Sequence, residues 1–392
     1  MAEVRKCGKC LLPETYETIL IEDDNSACNM CQGSSFKQDG IDWDRRKKML
    51  DKVINKYKGK YDYDCIVPFS GGKDSTYTLY YLMKEYNLKP LVVRFDHGFM
   101  RSNHEKNVER TLKKMGADFI TFQPNWNIVK RIMWESFSRK TDFCWHCHTG
   151  IYSFPLRVAK NFNVPLILWG EPLAEMSAYY TYEDNEIEFE DEEKFNMVRN
   201  LGINADDMWG MLNNKENPIE KRDLLPYTYP DLADLEKMDY YSVCLGSFIP
   251  WDYRKQTDII MDKLGWQPDE LEGVPNELNK EGAKIECWMQ GTRDYIKYLK
   301  RGYSRVTQLA NFEIREGRMT TEEGQEWIDK YEGKKPQSLE IFLEYMGITE
   351  EEFNKTIKEF IVPPHDPKFE DLDLASEPHD IDEWYRENNR KS

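Results

Sequence analysis

The chain has no long hydrophobic run: no stretch approaches the roughly 20 apolar residues of a membrane span, so a membrane partner is not expected. Its first residues, Met-Ala-Glu-Val-Arg-Lys-Cys, lack the apolar core of a secretory leader, and a cytoplasmic location is the expectation. Basic residues are in deficit. Asp and Glu number 71 against 54 Lys and Arg, a net charge of −17. Such a surface repels a phosphate backbone and argues against nucleic acid as a partner. No internal repeat is present, and no GxxxxGK[ST] loop of the Walker A type. What is there is a 392-residue chain, 40% hydrophobic and 13% aromatic, long enough for a main domain with one or two smaller units.

Cysteine, by contrast, is plentiful. Nine in a chain expected to be cytoplasmic point to metal or redox chemistry rather than disulfides. Cys7-Gly-Lys-Cys10 and Cys28-Asn-Met-Cys31 are two CxxC knuckles separated by seventeen residues. That spacing predicts a four-cysteine zinc ribbon over residues 1–35, closed and structural, with Pro13–Asn25 as its hairpin. Residues 36–60 read as a linker helix, amphipathic over 42–58.

Residues 61–190 alternate strand and helix. Strands are expected at Ile66–Phe69, Leu91–Phe95, Phe119–Phe122 and Leu166–Trp169. Helices are expected from Ser75, around His104–Met115 and Ile128–Phe137, and at Ile151–Phe162, which Pro155 would start or bend. Alternation of this kind predicts an α/β fold with a parallel sheet covered on both faces. Ligands then sit at the carboxyl ends of the strands, at Ser70–Ser75, Arg94–Gly98, Gln123–Asn127 and Gly170–Pro172. Residues 191–362 read as mostly helical, with segments at Asp252–Leu264, Thr292–Lys300, Thr320–Tyr331, Leu339–Met346 and Glu350–Phe360. Residues 363–392 read as a flexible acidic tail. The run Glu183–Glu193, eight acids in eleven residues, reads as solvated loop rather than a metal site.

The strand–turn–helix at Cys65-Ile-Val-Pro-Phe-Ser-Gly-Gly-Lys-Asp-Ser75 builds an anion site. Glycines let amides approach phosphate oxygens, the helix N-terminus favours negative charge, and Lys73 adds a cation. The SGGxDS pattern resembles that of the PP-loop pyrophosphatases, a Rossmann-like class that cleaves ATP between its α and β phosphates to adenylate a carbonyl. The resemblance implies ATP contacts from Pro68, Phe69, Ser70, Gly71, Gly72, Lys73, Asp74 and Ser75, with Lys73, Asp74 and Ser75 catalytic. It also implies contacts from Arg94, Asp96, His97, Gly170 and Glu171, with Mg²⁺ on Asp96 or Glu171.

Cys144-Trp-His-Cys147, expected in the loop before the helix at Ile151, is half a metal site at most. With Cys287, or alternatively Cys244, as third ligand it would suit a [4Fe-4S] cluster or a second zinc. Buried structural thiols are the competing reading. Lys297, Arg301, Tyr303 and Arg305 offer cations and a ring to a phosphate-bearing substrate, or else form a solvated helix face.

Several motifs together carry a closer resemblance. These are both CxxC knuckles, the Ser70–Ser75 loop, Trp169-Gly-Glu171, Leu245-Gly-Ser-Phe-Ile-Pro-Trp-Asp252, Lys297-Tyr-Leu-Lys-Arg-Gly-Tyr-Ser-Arg305 and Ile314-Arg-Glu-Gly-Arg-Met-Thr-Thr-Glu-Glu-Gly324. Over about residues 5–360 the chain resembles the N-acetyl sugar amidotransferases of surface-polysaccharide and flagellin sugar synthesis. That implies adenylation of the acetamido group of a nucleotide-linked N-acetyl sugar, and conversion to acetamidino with ammonia from a class-I glutaminase. AMP and pyrophosphate would be released. A PP-loop sulfur transferase using a cysteine-bound cluster is the alternative, and a nucleotide-sensing scaffold for the glutaminase is a third reading.

Overall fold

The computed structural model describes residues 4–15, 18, 27–175, 180–183 and 186–375. Most of the expected ribbon hairpin and the tail beyond residue 375 lie outside them. Asn29–Asp39 forms helix α1 directly from the second knuckle. Asp42 then accepts from the Arg45 amide and opens Trp43–Tyr57, α2. This is the expected linker helix, and its buried stripe of Leu50, Ile54 and Tyr57 packs with the sheet unit.

The sheet follows as β1 (Cys65–Pro68), α3 (Lys73–Glu85), β2 (Pro90–Phe95), α4 (Ser102–Met115), β3 (Asp118–Phe122), α5 (Trp126–Lys140), α6 (Trp145–Phe162) and β4 (Leu166–Trp169). Short helices at Glu192–Lys194 (α7), Ala205–Leu212 (α8) and Leu232–Lys237 (α9) lead to β5 (Tyr241–Cys244) and α10 (Tyr253–Leu264). The five strands are all parallel, in the order β3-β2-β1-β4-β5. Ile66 pairs with Leu91 on one side and Ile167 on the other, and Leu166 pairs with Tyr241. β1, β2 and β4 are buried along their whole length, as strands covered on both faces must be. Leu156 and Ala159 of α6 pack on Ile66, Leu91, Val93 and Ile167.

β5 was not expected from the sequence. Tyr-Ser-Val-Cys is short and follows a long irregular stretch, so nothing in its pattern separates it from loop. Pairing with β4 makes it a strand. Helix α6 also begins six residues earlier than expected, and Pro155 lies within it.

The second compact unit gathers residues 1–41, 173–186 and 268–392. It contains α1 and helices Gln290–Arg301 (α11), Arg305–Arg315 (α12), Thr321–Tyr331 (α13), Ser338–Met346 (α14) and Glu350–Lys358 (α15). Helix α12 was not foreseen. Thr320 and Thr349 close reciprocal capping boxes with Glu323 and Glu352. Part of the expected flexible tail is held. The Lys335 amide donates to Asp373, and Ala375, itself buried, donates back to Lys335.

Gly150 of α6 faces Phe95 of β2 so closely that a Cβ there would lie 2.3–2.6 Å from three ring carbons. Gly150→Ala is therefore expected to cost about 1–3 kcal/mol by overpacking, read as a lowered urea midpoint. Gly210→Ala in α8, where nothing lies within 4 Å of the added carbon, should be neutral or stabilising by up to about 1 kcal/mol.

Candidate active site and cysteine centre

The strand order places β1 and β4 side by side with their neighbours running outward in opposite directions. That is the switch point at which a crevice opens beyond the carboxyl ends. Two of the expected loops flank it, Ser70–Gly72 after β1 and Gly170–Pro172 after β4. The second loop packs on the first turns of α3: a Cβ on Gly170 would lie 3.0 Å from Thr78 Oγ1 and 3.5 Å from the Asp74 carbonyl.

Within the first loop, Gly71 has φ of +88°, a conformation that favours glycine, and a Cβ would strike Val108 Cγ2 at 2.3 Å. Gly72 is the N-cap of α3 and has no side-chain partner for the helix amides. The Gly71 amide donates to Ser75 Oγ at 3.1 Å and the Gly72 amide to Ser70 Oγ at 3.2 Å. The two hydroxyls lie 3.2 Å apart.

Lys73 Nζ is 2.6 Å from Asp74 Oδ2 and lies 4.2 Å from the centroid of the Tyr253 ring. Tyr253 donates through its hydroxyl to Glu171 Oε2 at 2.9 Å, and Trp251 Nε1 donates to Asp74 Oδ1 at 3.3 Å. Lys73, Asp74, Ser70, Ser75 and Glu171 are thus brought together, joined by Trp251 and Tyr253. Sequence reasoning missed those two aromatics as site residues, although Trp251 lies inside a segment already singled out.

Pro68 and Phe69 support the loop from below; Phe69 is buried edge-on against Phe119. Arg94 donates to Thr121 Oγ1 and pairs with Glu105 at 2.8 Å. Asp96 accepts from the Gly98 amide, and buried His97 accepts from the Phe99 amide on Nδ1 and from His146 Nε2 on its carbonyl. In this structure the Asp96–His97 pair therefore builds a turn.

Cys144 and Cys147 are not in a loop, which corrects the expectation. Cys144 is the N-cap of α6, its amide held by Asp142 Oδ1, and Trp145 anchors the turn by donating to the carbonyls of Asn200 and Ile203. Burial pushes His146 down to about 4. Cys287 belongs to the other unit and is half-buried. Cys244 lies elsewhere in the sheet unit, its Sγ 4.0 Å from Glu188 and 3.9 Å from Glu190.

That last group overturns the reading of Glu183–Glu193 as solvated along its length. The Glu190 amide donates to Ser242 and the Cys244 amide to Glu188, so residues 188–190 run along β5. Glu188 and Glu190 are buried, while Phe189 between them is exposed. Lys194 Nζ binds both carboxylates, the Glu190 contact at 2.6 Å, and Arg199 pairs with Glu190 at 2.6 Å. The Arg199 guanidinium lies 3.7 Å over the Tyr152 ring, which stacks on Trp169. Burial works to lower Lys194, but Cys244, Glu190 and Glu188 outweigh it and its net shift is upward. Glu188, Glu190 and Cys244 have metal-ligand types and proximity. Lys194 already occupies their centre, and two cations balance two acids.

In the other unit, Cys7, Cys10, Cys28 and Cys31 converge, buried, with all four sulfurs within 4.8 Å of one another. Individual separations are 3.6 Å for Cys10–Cys28, 3.8 Å for Cys28–Cys31 and 3.9 Å for Cys7–Cys31. A tetrahedron with metal–sulfur bonds of about 2.3 Å has edges of about 3.8 Å, so the set fits one tetrahedral ion. The Cys10 carbonyl accepts from Asn311 of α12, tying the centre to the helices. On α1, Lys37 pairs with Glu175, which also accepts from Tyr182.

Among the substrate candidates, Lys297 and Arg305 converge on one carboxylate. Arg305 holds buried Asp294 through two contacts of 3.1 and 3.2 Å, and Lys297 lies 3.4 Å away. Burial works to raise Asp294, yet Arg305 and Lys297 hold it at about 2. Arg301 is exposed and Tyr303 half-buried.

Residues 285–374 match a family model described as the C-terminal domain of WbpG-like LPS biosynthesis proteins. The chain is 24% identical over 221 residues to the Uncharacterized protein MJ1599 of Methanocaldococcus jannaschii, covering 53% of this chain and 77% of that protein. Among solved structures it is similar to the U34-tRNA thiolase NcsA of Methanococcus maripaludis with its [4Fe-4S] cluster, at 14% identity and a TM-score of 0.25. That match covers 81% of this chain and 88% of the thiolase; a likeness at that score carries no argument about chemistry here. No helix among the described residues is long and apolar enough to cross a membrane.

Lys194→Met would strand buried Glu188 and leave Glu190 to Arg199 alone. Its unfolding free energy is expected to fall by about 3–5 kcal/mol in urea titration. Lys113→Met, breaking the exposed pair with Glu109, should stay within about 0.5 kcal/mol.

Proposed function

We propose that the protein is an ATP-dependent, AMP-forming amidotransferase acting on the acetamido group of a nucleotide-linked N-acetyl sugar. The observation that carries this reading is the gathering of Lys73, Asp74 and Glu171 with the amides of Gly71 and Gly72 at the switch point of a parallel sheet. The match of residues 285–374 to a domain of LPS biosynthesis proteins supports a sugar substrate. In this reading Arg94, Asp96, His97, Gly170 and Glu171 are the proposed contacts of the nucleotide, with Mg²⁺ on a carboxylate of the site, and Lys297, Arg301, Tyr303 and Arg305 are proposed for the sugar nucleotide.

The chemistry follows from the weakness of an amide as an electrophile. The acetamido oxygen attacks the α-phosphorus of ATP, and the bond to the β-phosphate bridge breaks. Lys73 and the loop amides stabilise charge on the departing pyrophosphate. Ammonia, supplied by a class-I glutaminase partner, adds to the carbon of the adenylated imidate. AMP then leaves and a proton is lost, giving acetamidino. Water must be kept out, because its attack would return the acetamide.

The four N-terminal cysteines hold one structural zinc. Sulfur spacings of 3.6–3.9 Å suit four thiolates on a single ion, whereas cysteines on separate irons of a cube stand further apart. A second reading, sulfur transfer, draws on Cys144 and Cys147 at the start of α6.

The deciding assay supplies ATP, ammonium and a panel of nucleotide-linked N-acetyl sugars, and measures AMP, pyrophosphate and the mass of the sugar. AMP together with a mass change of one N–H for O exchange is expected. Lys73→Ala should lower the rate at least about 10²-fold with its circular dichroism unchanged. Wild-type protein that forms no AMP with any sugar would remove the proposal. A sulfur-containing product, or activity only with iron present, would favour the second reading.

Metal analysis after anaerobic purification is expected to find about one zinc per chain. Cys10→Ser should lose it and melt at a lower temperature. Iron in place of zinc at these four cysteines would overturn the assignment.

A further inference from the structure

We infer that His104 and Trp266 are positioning residues of the Ser70–Gly72 loop, holding its carbonyls away from the crevice so that its amides face a bound polyphosphate. The inference rests on the nucleotide reading above and deepens it.

Every peptide in such a loop carries an acceptor as well as a donor, and an acceptor turned towards a phosphate repels it. Here each loop carbonyl is engaged. Ser70 O lies 2.6 Å from His104 Nε2, and Gly71 O accepts from Trp266 Nε1 at 3.0 Å and from Thr76 Oγ1 at 3.3 Å. Gly72 O accepts the first helical bond of α3, from the Thr76 amide at 3.0 Å. The His104 and Trp266 side chains are buried, so both bonds are shielded from water. Ser70 O can be held only if His104 Nε2 carries the proton.

The donors are treated differently. The amides of Gly71 and Gly72 are met by the hydroxyls of Ser75 and Ser70; those hydroxyls also reach each other, and Ser75 Oγ reaches Gly72 O at 3.3 Å. A hydroxyl rotates, and a phosphate oxygen can take its place. Fixed acceptors and exchangeable donors are what an anion cradle requires. Two elements supply the locks. Helix α4 brings His104, at the closeness that forbids a Cβ on Gly71. Gly265, at φ of +69°, ends α10 and turns the chain so that the Trp266 amide bonds back to Ile260 and the indole reaches the loop.

The test measures binding of Mg²⁺–pyrophosphate and, separately, adenosine by titration calorimetry. The proteins are wild type, His104→Phe, His104→Gln and Trp266→Phe, each checked by thermal melt. Pyrophosphate Kd is expected to rise about tenfold in His104→Phe and in Trp266→Phe, the loss of one shielded hydrogen bond. Adenosine Kd should change less than about twofold, since no base contact is touched. His104→Gln, whose amide nitrogen can replace Nε2, should recover most of the affinity. Unchanged pyrophosphate binding in both aromatic variants would overturn the inference, as would equal weakening of both ligands or failure of His104→Gln to recover while still folded. If wild type binds neither pyrophosphate nor adenosine, the nucleotide reading itself fails. If it binds both and the variants match it, only the positioning role does.

Discussion

A loop that receives phosphate must dispose of its carbonyls. In the proposed reading this constraint organises the sheet unit. The short turn after β1 has no helix or strand of its own to absorb three acceptors, so they are met from outside by α4, by the residue after α10 and by the first turn of α3. Gly71 is the point at which this closes. Its positive φ and the nearness of Val108 and His104 leave no room for a side chain, so the loop's shape and the docking of α4 depend on the same missing atom.

In the proposed reading, an acidic chain that takes an acidic nucleotide must separate local from global electrostatics. At physiological ionic strength a charge is screened beyond about 8 Å, so most of the net −17 is not felt in the crevice. What is felt is Lys73, partly balanced by Asp74, and the amides at the start of α3. Elsewhere buried charge is kept with its counter-charge. Lys194 and Arg199 meet Glu188 and Glu190 beside β5, and Arg305 and Lys297 meet Asp294 between α11 and α12. Both cost desolvation and are tolerable only because every partner is present. The second set also bears on substrate recognition: a guanidinium already bidentate to Asp294 has less to offer a phosphate than its sequence context implies.

The sheet and its first loop were legible because their signals are local. Apolar runs bounded by glycine and proline, and helices with a cap residue and a buried stripe, announce themselves within about ten residues. The losses came where the deciding partner is distant in sequence. β5 is a strand because β4 lies beside it. Glu188 and Glu190 are buried because Lys194 and Arg199 turn back on them, and composition alone sees only eight acids in eleven residues. The start of α6 was placed too late, since Cys-Trp-His-Cys resembles a metal knuckle more than a helix N-terminus; Trp145 settles it by burying its ring and donating twice. Tyr253 was missed for a related reason. An aromatic at the head of an amphipathic helix is usually core, and only the position of Lys73 under its ring makes it part of the site.

The segment Leu245-Gly-Ser-Phe-Ile-Pro-Trp-Asp252 shows how a motif becomes intelligible once its neighbours are known. It leaves the end of β5, the strand that the sequence concealed, and runs directly to the crevice. Gly246 donates to the Gly170 carbonyl and passes Pro172 so closely that a Cβ would lie 2.5 Å from it. Ser247 accepts from the Glu188 amide through its hydroxyl and from Arg46 of α2 through its carbonyl. Trp251 reaches Asp74, and Asp252 caps α10 by accepting from the amides of Arg254 and Lys255. The helix so started carries Tyr253 against Lys73 at its head and presents Trp266 to Gly71 just past its end. One continuous stretch thus reaches the turn after β1 and the head of α3, and β5 is the anchor that sets where it begins.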